Sequence, residues 1–351
     1  MNSKYANLFE NIKNEKKTKN DTILLIDGLN TFLRSFTMIN HINENGHHIG
    51  GLTGFLKSIG YAIKTLSPTR VIIVFDGVGG SSARKNLFPD YKANRGNKRM
   101  TNYPIFSSLE EEKISISQQM ARLIAYLQCL PIDMLCIDGL EADDIIGKIS
   151  TQLEIDNNVK KVYIMSSDQD FLQLVSDKTN IYSPTKKKIY DDNLILEEYN
   201  VSSNNFIIMK CLLGDNGDNI PGISGLGPGK LKKYFPQLFS QDILNINDII
   251  NISKTTVENT TYTKKNLNER IIYDKVIERE KQLHINNQLM NLKEINVSEE
   301  NQIIIDNIVN NPNNDLDKVQ FLRMYITDKL NDSIPNVQNW IEITFKYLST
   351  F

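Results

Sequence analysis

Three cysteines, Cys129, Cys136 and Cys211, are too few and too scattered for a disulfide framework; the number is odd and no CxxC pair exists, which also removes a zinc ribbon. A reducing compartment fits such a chain. Long apolar runs are missing too: those such as Val71 to Phe75 fall far short of the roughly 18 residues a membrane span requires. The lysine- and asparagine-rich N-terminus lacks a long apolar core, so neither a signal peptide nor an anchor is expected. A cytoplasmic location follows, the host cytoplasm if the chain is viral. Net charge is nearly absent, since 40 Lys and Arg face 42 Asp and Glu. That excludes a uniformly basic nucleic-acid binder but permits charges segregated between faces. None of the four histidines, His41, His47, His48 and His284, stands in an HExxH or CxxH context, so zinc catalysis is not indicated, and His47-His48 reads as a solvated loop. What remains is 351 residues, 40% hydrophobic and 23% charged, the composition of an ordinary globular protein of about two domains.

Three short apolar runs read as buried strands. Thr22 to Ile26 ends in Asp27-Gly28, Arg70 to Phe75 in Asp76-Gly77, and Lys161 to Met165 in Ser166-Ser167-Asp168. Helix-like segments, Leu52 to Leu66 and Ile116 to Leu127, lie between them, which predicts an α/β fold with a mostly parallel, helix-flanked sheet. Parallel strands put equivalent ends together, and ligands bind beyond their carboxyl ends, so Asp27, Asp76 and Asp168 should converge on one rim. A single aspartate after a strand is by default a turn former or helix cap; its repetition is what points to a site. Residues 1–20 read as a mobile tail and 21–200 as the α/β domain. Residues 78–114 form a flexible basic segment within it, and 201–351 read as a helical domain.

Further acids cluster in Glu141-Ala142-Asp143-Asp144, at Asp170, and at Asp215 and Asp218 within Gly214-Asp215-Asn216-Gly217-Asp218-Asn219. Nine carboxylates at one rim would repel unless cations neutralise them, and hard divalent metals with oxygen ligands are the natural solution. Two Mg2+ ions about 4 Å apart, or Mn2+ in their place, can activate a water and stabilise a leaving oxygen. Each cluster alone could instead serve a helix dipole or a turn. Basic residues crowd another segment: Arg84, Lys85, Lys92, Arg95, Lys98 and Arg99, with Tyr91 among them. Such cations attract phosphates, and an aromatic can stack on an unpaired base. Gly222, Gly225, Gly227 and Gly229 open a helix-like run carrying Lys230, Lys232 and Lys233. It is no Walker A loop, since Ser224 and Leu231 stand where glycine and Ser or Thr are required. A glycine turn before a lysine-bearing helix can still offer N–H groups to phosphate, or be a plain helix-to-helix turn.

Taken together, Phe75-Asp76, Pro89-Asp90-Tyr91-Lys92-Ala93-Asn94-Arg95, Glu141 to Asp144, Ser166 to Asp170 and Gly214 to Gly222 make the chain resemble the 5′ nucleases of the flap endonuclease family. Within that family it looks most like the phage ribonuclease H branch. The resemblance covers roughly residues 21–236 and implies a PIN-like, resolvase-like core with a helix-two-turn-helix motif near 211–236 that grips duplex DNA. It implies a first metal site at Asp27, Asp76, Glu141, Asp143 and Asp144, and a second at Asp168, Asp170, Asp215 and Asp218. Lys92 and Arg95 would face the scissile phosphate from an arch, Tyr91 would stack on substrate, and backbone carbonyls of the motif would hold K+. The implied activity is 5′ to 3′ hydrolysis of DNA and RNA:DNA hybrids, removing primers and cutting 5′ flaps. The implied partners are branched DNA and a single-strand-binding protein or sliding clamp, with the chain itself a monomer. Gln338 to Phe345 resembles a clamp-binding peptide only faintly, and an amphipathic closing helix is the favoured reading. The rival functions are a PIN-like endoribonuclease and a catalytically inactive branch-binding protein.

Overall fold

The computed structural model describes residues 18–350 except 97–99, 103, 240–241, 262–266 and 331–332. The expected mobile tail thus lies almost wholly outside the described residues, as do Lys98 and Arg99. From the N-terminus the chain runs through β1 (Thr22–Asp27), α1 (Gly28–Met38), α2 (Gly50–Leu66), β2 (Arg70–Asp76), α3 (Ser82–Leu87), α4 (Leu109–Leu127), β3 (Asp133–Ile137), α5 (Ala142–Ile155) and β4 (Lys161–Met165). A hairpin of β5 (Thr179–Ser183) and β6 (Lys188–Tyr190) leads to α6 (Asp192–Tyr199) and α7 (Ser203–Leu213). The two-residue strands β7 (Gly214–Asp215) and β8 (Ile220–Pro221) follow. The remainder is helical: α8 (Pro228–Tyr234), α9 (Ile246–Asn259), α10 (Leu267–Glu278), α11 (Glu280–Met290), α12 (Glu299–Asn310), α13 (Lys318–Thr327) and α14 (Val337–Thr344).

The main sheet has the order β3-β2-β1-β4-β5-β6, parallel except for β6 at its edge. From β1 the chain moves outward to β2 and β3, then returns to β4 on the other side of β1. Strand order therefore reverses beside β1, and a crevice opens there beyond the carboxyl ends. The strands are apolar on both faces because both faces are covered. Ile23, Leu25, Ile72 and Val74 pack with Ile145 and Ile149 of α5, whereas Leu24, Ile26, Val71 and Ile73 pack with Phe32, Phe55 and Leu123 of α1, α2 and α4.

The boundary expected near residue 200 does not divide the core. Ile207, Leu283 and Ile305 join the first cluster, and Phe321, Tyr325, Ile341 and Phe345 the second. Arg70, the fully buried first residue of β2, ties α12 down. It pairs with Asp133 at 2.8 Å and donates to the carbonyls of Ile308 and Val309. At the chain end Trp340 lies against Gly60, where an added Cβ would come within 2.8 Å of the indole, and Ile341 and Phe345 are fully buried. Gln338 to Phe345 thus takes the form of the favoured amphipathic closing helix, with Ile341 and Phe345 in the core and Ile343 exposed.

Regular elements lie within residues 78–114 as well. This segment contains α3, a 3₁₀ turn over Ala93–Gly96 and the start of α4, pinned by buried Arg84, Tyr91 and Phe106. Phe106 stacks on Phe36 at 5.8 Å. His48 is no solvated loop residue: it lies edge-on to both rings, Gln119 Nε2 contacts its Nδ1 at 3.0 Å, and its Nε2 meets the Ile39 carbonyl at 2.8 Å.

Candidate active site

Each acid at the rim is placed by the end of a regular element. Asp27 closes β1 and caps α1, accepting from Asn30 N at 3.1 Å. Gly28 follows because the helix starts against β2, where a Cβ would sit 2.6 Å from the Phe75 ring. Asp76 closes β2 and accepts from Ala142 N at 2.8 Å, which binds the first turn of α5 to the rim. Glu141 and Asp144 form the capping box of α5, with Asp143 between them. Helix N–H groups and the positive end of the helix dipole thus hold three acids together. Their carboxylate oxygens lie within 4.8 Å of one another, the one such acidic group among the described residues.

Beyond β4, Asp168 caps a 3₁₀ turn and accepts from Asp170 N at 2.9 Å. Ser166 links this cluster to β1: its Oγ donates to Asp27 Oδ2 at 3.1 Å and accepts from Asp168 N at 3.0 Å. Asp215 Oδ1 accepts from Gly217 N and Asp218 N at 2.7 and 3.2 Å, shaping the loop between β7 and β8. Lys210 of α7 joins two acids, with Nζ 2.5 Å from Asp170 Oδ1 and 2.6 Å from Asp215 Oδ2. The sequence reading passed over Lys210, although a lone charge in the apolar run Phe206 to Leu213, just before an acidic loop, was a usable signal.

The titration behaviour reports this crowding. Burial, reinforced by the charges of Asp76 and Asp168, pushes Asp27 up to about 7. Burial with Asp144 and Glu141 alongside raises Asp143 to about 8, and burial with Asp168 and Asp215 alongside raises Asp170 to about 6. Glu141 is held below its ordinary value despite burial because Arg84 and Lys92 flank it, and Asp215 likewise because Lys210 bonds to it. A donor set made only of oxygens, with several members too crowded to ionise freely, suits a hard divalent cation.

The basic residues fall into two groups. Arg84 and Tyr91, read from the sequence as DNA contacts, are inside the site. Arg84 donates to Glu141 Oε2 at 2.5 Å, to Asp144 Oδ1 at 2.7 Å and to the Leu289 carbonyl at 2.8 Å. Tyr91 Oη donates to Glu141 Oε2 at 2.9 Å and is 2% exposed, so its ring offers no face for stacking on a base. Both turn inward because the buried carboxylates need partners. Lys92 lies at the mouth, donating to Glu141 Oε1 at 2.6 Å, and Arg95 pairs with Asp218. Lys85 is exposed on α3.

In the glycine-rich turn, Gly222 is a packing residue, since a Cβ would meet the Leu213 carbonyl at 2.1 Å. Gly225 takes a left-handed φ of 89°, while Gly227 and Gly229 face open space around the start of α8. Lys230, Lys275 and Arg279 donate to the carbonyls of Gly225, Ser224 and Gly222. Lys232 and Lys233 are exposed, and Lys233 pairs with Glu269 at 2.7 Å. Among the described residues no helix is long and apolar enough to cross a membrane.

A family model described as 5′-3′ exonuclease, N-terminal resolvase-like domain, matches residues 22–200. The chain is 31% identical over 258 residues to a 5′-3′ exonuclease of Buchnera aphidicola, covering 72% of this chain and 84% of that one. It is also 31% identical over 217 residues to the 5′-3′ exonuclease of Bacillus subtilis, covering 59% and 67%. In fold it is similar to the bacteriophage T5 flap endonuclease solved with DNA and metal ions, at TM-score 0.60 and 21% identity over 89% of this chain and 99% of that one.

Proposed function

The chain belongs to the 5′-3′ exonuclease family and is a nuclease, and from that premise we propose that it cleaves 5′ flaps and removes RNA primers, hydrolysing DNA and RNA:DNA hybrids with two Mg2+ ions. One observation supports this reading: Glu141, Asp143 and Asp144 bring their carboxylates within 4.8 Å of one another beside Asp76, with Lys92 on Glu141, while Lys210 joins Asp170 to Asp215 beyond β4. Asp27, Asp76, Glu141, Asp143 and Asp144 would hold one ion, and Asp168, Asp170, Asp215 and Asp218 the other. Bound there, divalent ions supply Lewis acidity and an activated water. Glu141 and Asp144 stay oriented through Arg84, and Asp27 through Ser166 and Asn30. Lys92 and Arg95 leave the carboxylates to take the oxygens of the scissile phosphate and stabilise the charge that grows on them.

The turn from Gly222 to Gly229 and exposed Lys232 and Lys233 support duplex binding through phosphates, alongside exposed Lys85. A K+ ion in that turn would have to displace Lys230 and Lys275 from its carbonyls. A single-strand-binding protein or a sliding clamp is the candidate partner, and in the clamp-like segment Ile341 and Phe345 are already buried in the chain's own core. The test uses a labelled 5′ flap and an RNA:DNA hybrid, each with Mg2+ or EDTA. Asp76→Asn and Asp168→Asn are expected to lower Mg2+-dependent cutting about 100-fold or more. Flap binding in Ca2+ should persist. Tight binding with no cutting in any divalent metal would leave a branch-recognition protein, and cutting of single-stranded RNA alone would leave an endoribonuclease.

A further inference from the structure

Residues 90–95 do not lean on the active site by charge alone. They are fastened to the loop that carries Asp215 and Asp218. Lys92 N donates to the Asp218 carbonyl at 2.9 Å, Asn94 Nδ2 to the Asn216 carbonyl at 2.8 Å, and Asn219 Nδ2 to the Asp90 carbonyl at 3.0 Å. Arg95 adds a bond to Asp218 and a long one of 3.5 Å to the Gly217 carbonyl. Two residues in this seam hold left-handed backbones, Lys92 at φ 56° and Asn219 at φ 61°. For lysine that conformation is costly, and it persists only where surrounding bonds over-determine it.

The chemistry of the seam matters more than its number of bonds. The ionic contacts of Lys92 with Glu141 and Arg95 with Asp218 depend on carboxylates being free to receive them. Once cations neutralise those carboxylates and phosphate draws the basic groups away, these contacts no longer hold the segment. The asparagine-to-carbonyl bonds carry no net charge and survive that exchange. We propose that Asn94 and Asn219 are positioning residues: they latch segment 90–95 to the 214–219 loop, and so fix the direction from which Lys92 and Arg95 approach the scissile phosphate. This rests on the phosphate-facing role of Lys92 given above.

The test is single-turnover cleavage of a 5′ flap in Mg2+, with flap affinity measured in Ca2+. Asn219→Gly keeps the left-handed backbone available and removes only the donor; Asn94→Ala opens the latch from the other side and serves if the first variant folds poorly. Each is expected to slow cleavage about 10- to 100-fold while flap affinity changes less than about threefold. In a background carrying both Lys92→Ala and Arg95→Ala the asparagine changes are expected to cost less than about threefold further, because the groups they position are gone. Full cleavage rates in both asparagine variants would overturn the proposal. So would an equal loss in the two backgrounds, which would mark a merely structural role. If Lys92→Ala itself cleaves at the normal rate, it is the role of Lys92 that fails, and the two failures are told apart.

Discussion

Lys210 bridges Asp170 and Asp215, and the two carboxylates respond in opposite directions: Asp215 titrates below its ordinary value, while burial lifts Asp170 to about 6. The ammonium is a tethered counter-ion standing between two of the acids proposed above to hold a metal. Replacing it by Lys210→Met leaves two largely buried acids facing each other, and removing one member of a buried ionic group is strongly destabilising. The expected loss near pH 8 in EDTA is roughly 1–3 kcal/mol. Mg2+ should restore most of it, giving the variant a larger Mg2+-dependent gain in melting temperature than the wild type. Urea unfolding with and without Mg2+ checks this, and an equal Mg2+ effect on both proteins would show that Lys210 and the cation do not share the site.

At the scale of elements, the last helix takes the form the sequence favoured, an amphipathic closing helix, over the faint likeness to a clamp-binding peptide. A free clamp-binding peptide and a closing amphipathic helix have the same apolar spacing; what separates them is whether a seat exists, and Gly60 of α2 provides one under Trp340. Ile341 is fully buried and Ile343 is 61% exposed, so the pair forms an internal control. Ile341→Ala is expected to cost about 2–5 kcal/mol in chemical denaturation and Ile343→Ala about 0.5 kcal/mol or less. Two small, equal effects would return the segment to solvent.

For the whole molecule the buried acids set an unusual dependence on pH. Asp27 titrates from an ordinary 3.8 up to about 7 in the fold, so between those values the ion-free protein keeps a proton that the unfolded chain releases. Stability therefore declines as pH rises through that window. Asp170 acts likewise up to about 6 and Asp143 up to about 8. Glu141 and Asp215, held low, stabilise the fold above their ordinary values and lose that contribution only as pH falls through their lowered ones. Divalent cations bind ionised carboxylates, so their stabilising effect should grow with pH. The expected outcome is a melting temperature in EDTA that falls from about pH 5.5 to 8, and a Mg2+-induced increase that widens over the same range. A Mg2+ shift independent of pH would mean that these acids are ionised throughout.

The strands ending at Asp27 and Asp76, the run ending at Asp168, and the helix opening at Glu141 were legible in the sequence because strand apolarity and helix capping are local, and parallel topology then sends equivalent ends to one rim. The direction each cation takes was not legible. Arg84 and Tyr91 carry the same chemistry as exposed phosphate contacts, and only the three-dimensional packing reveals that they satisfy Glu141 and Asp144 from within. Lys210, the asparagine latch and the seat of α14 are likewise tertiary. Each joins a residue to a partner whose position depends on how separate elements pack, and no local pattern encodes such a pairing.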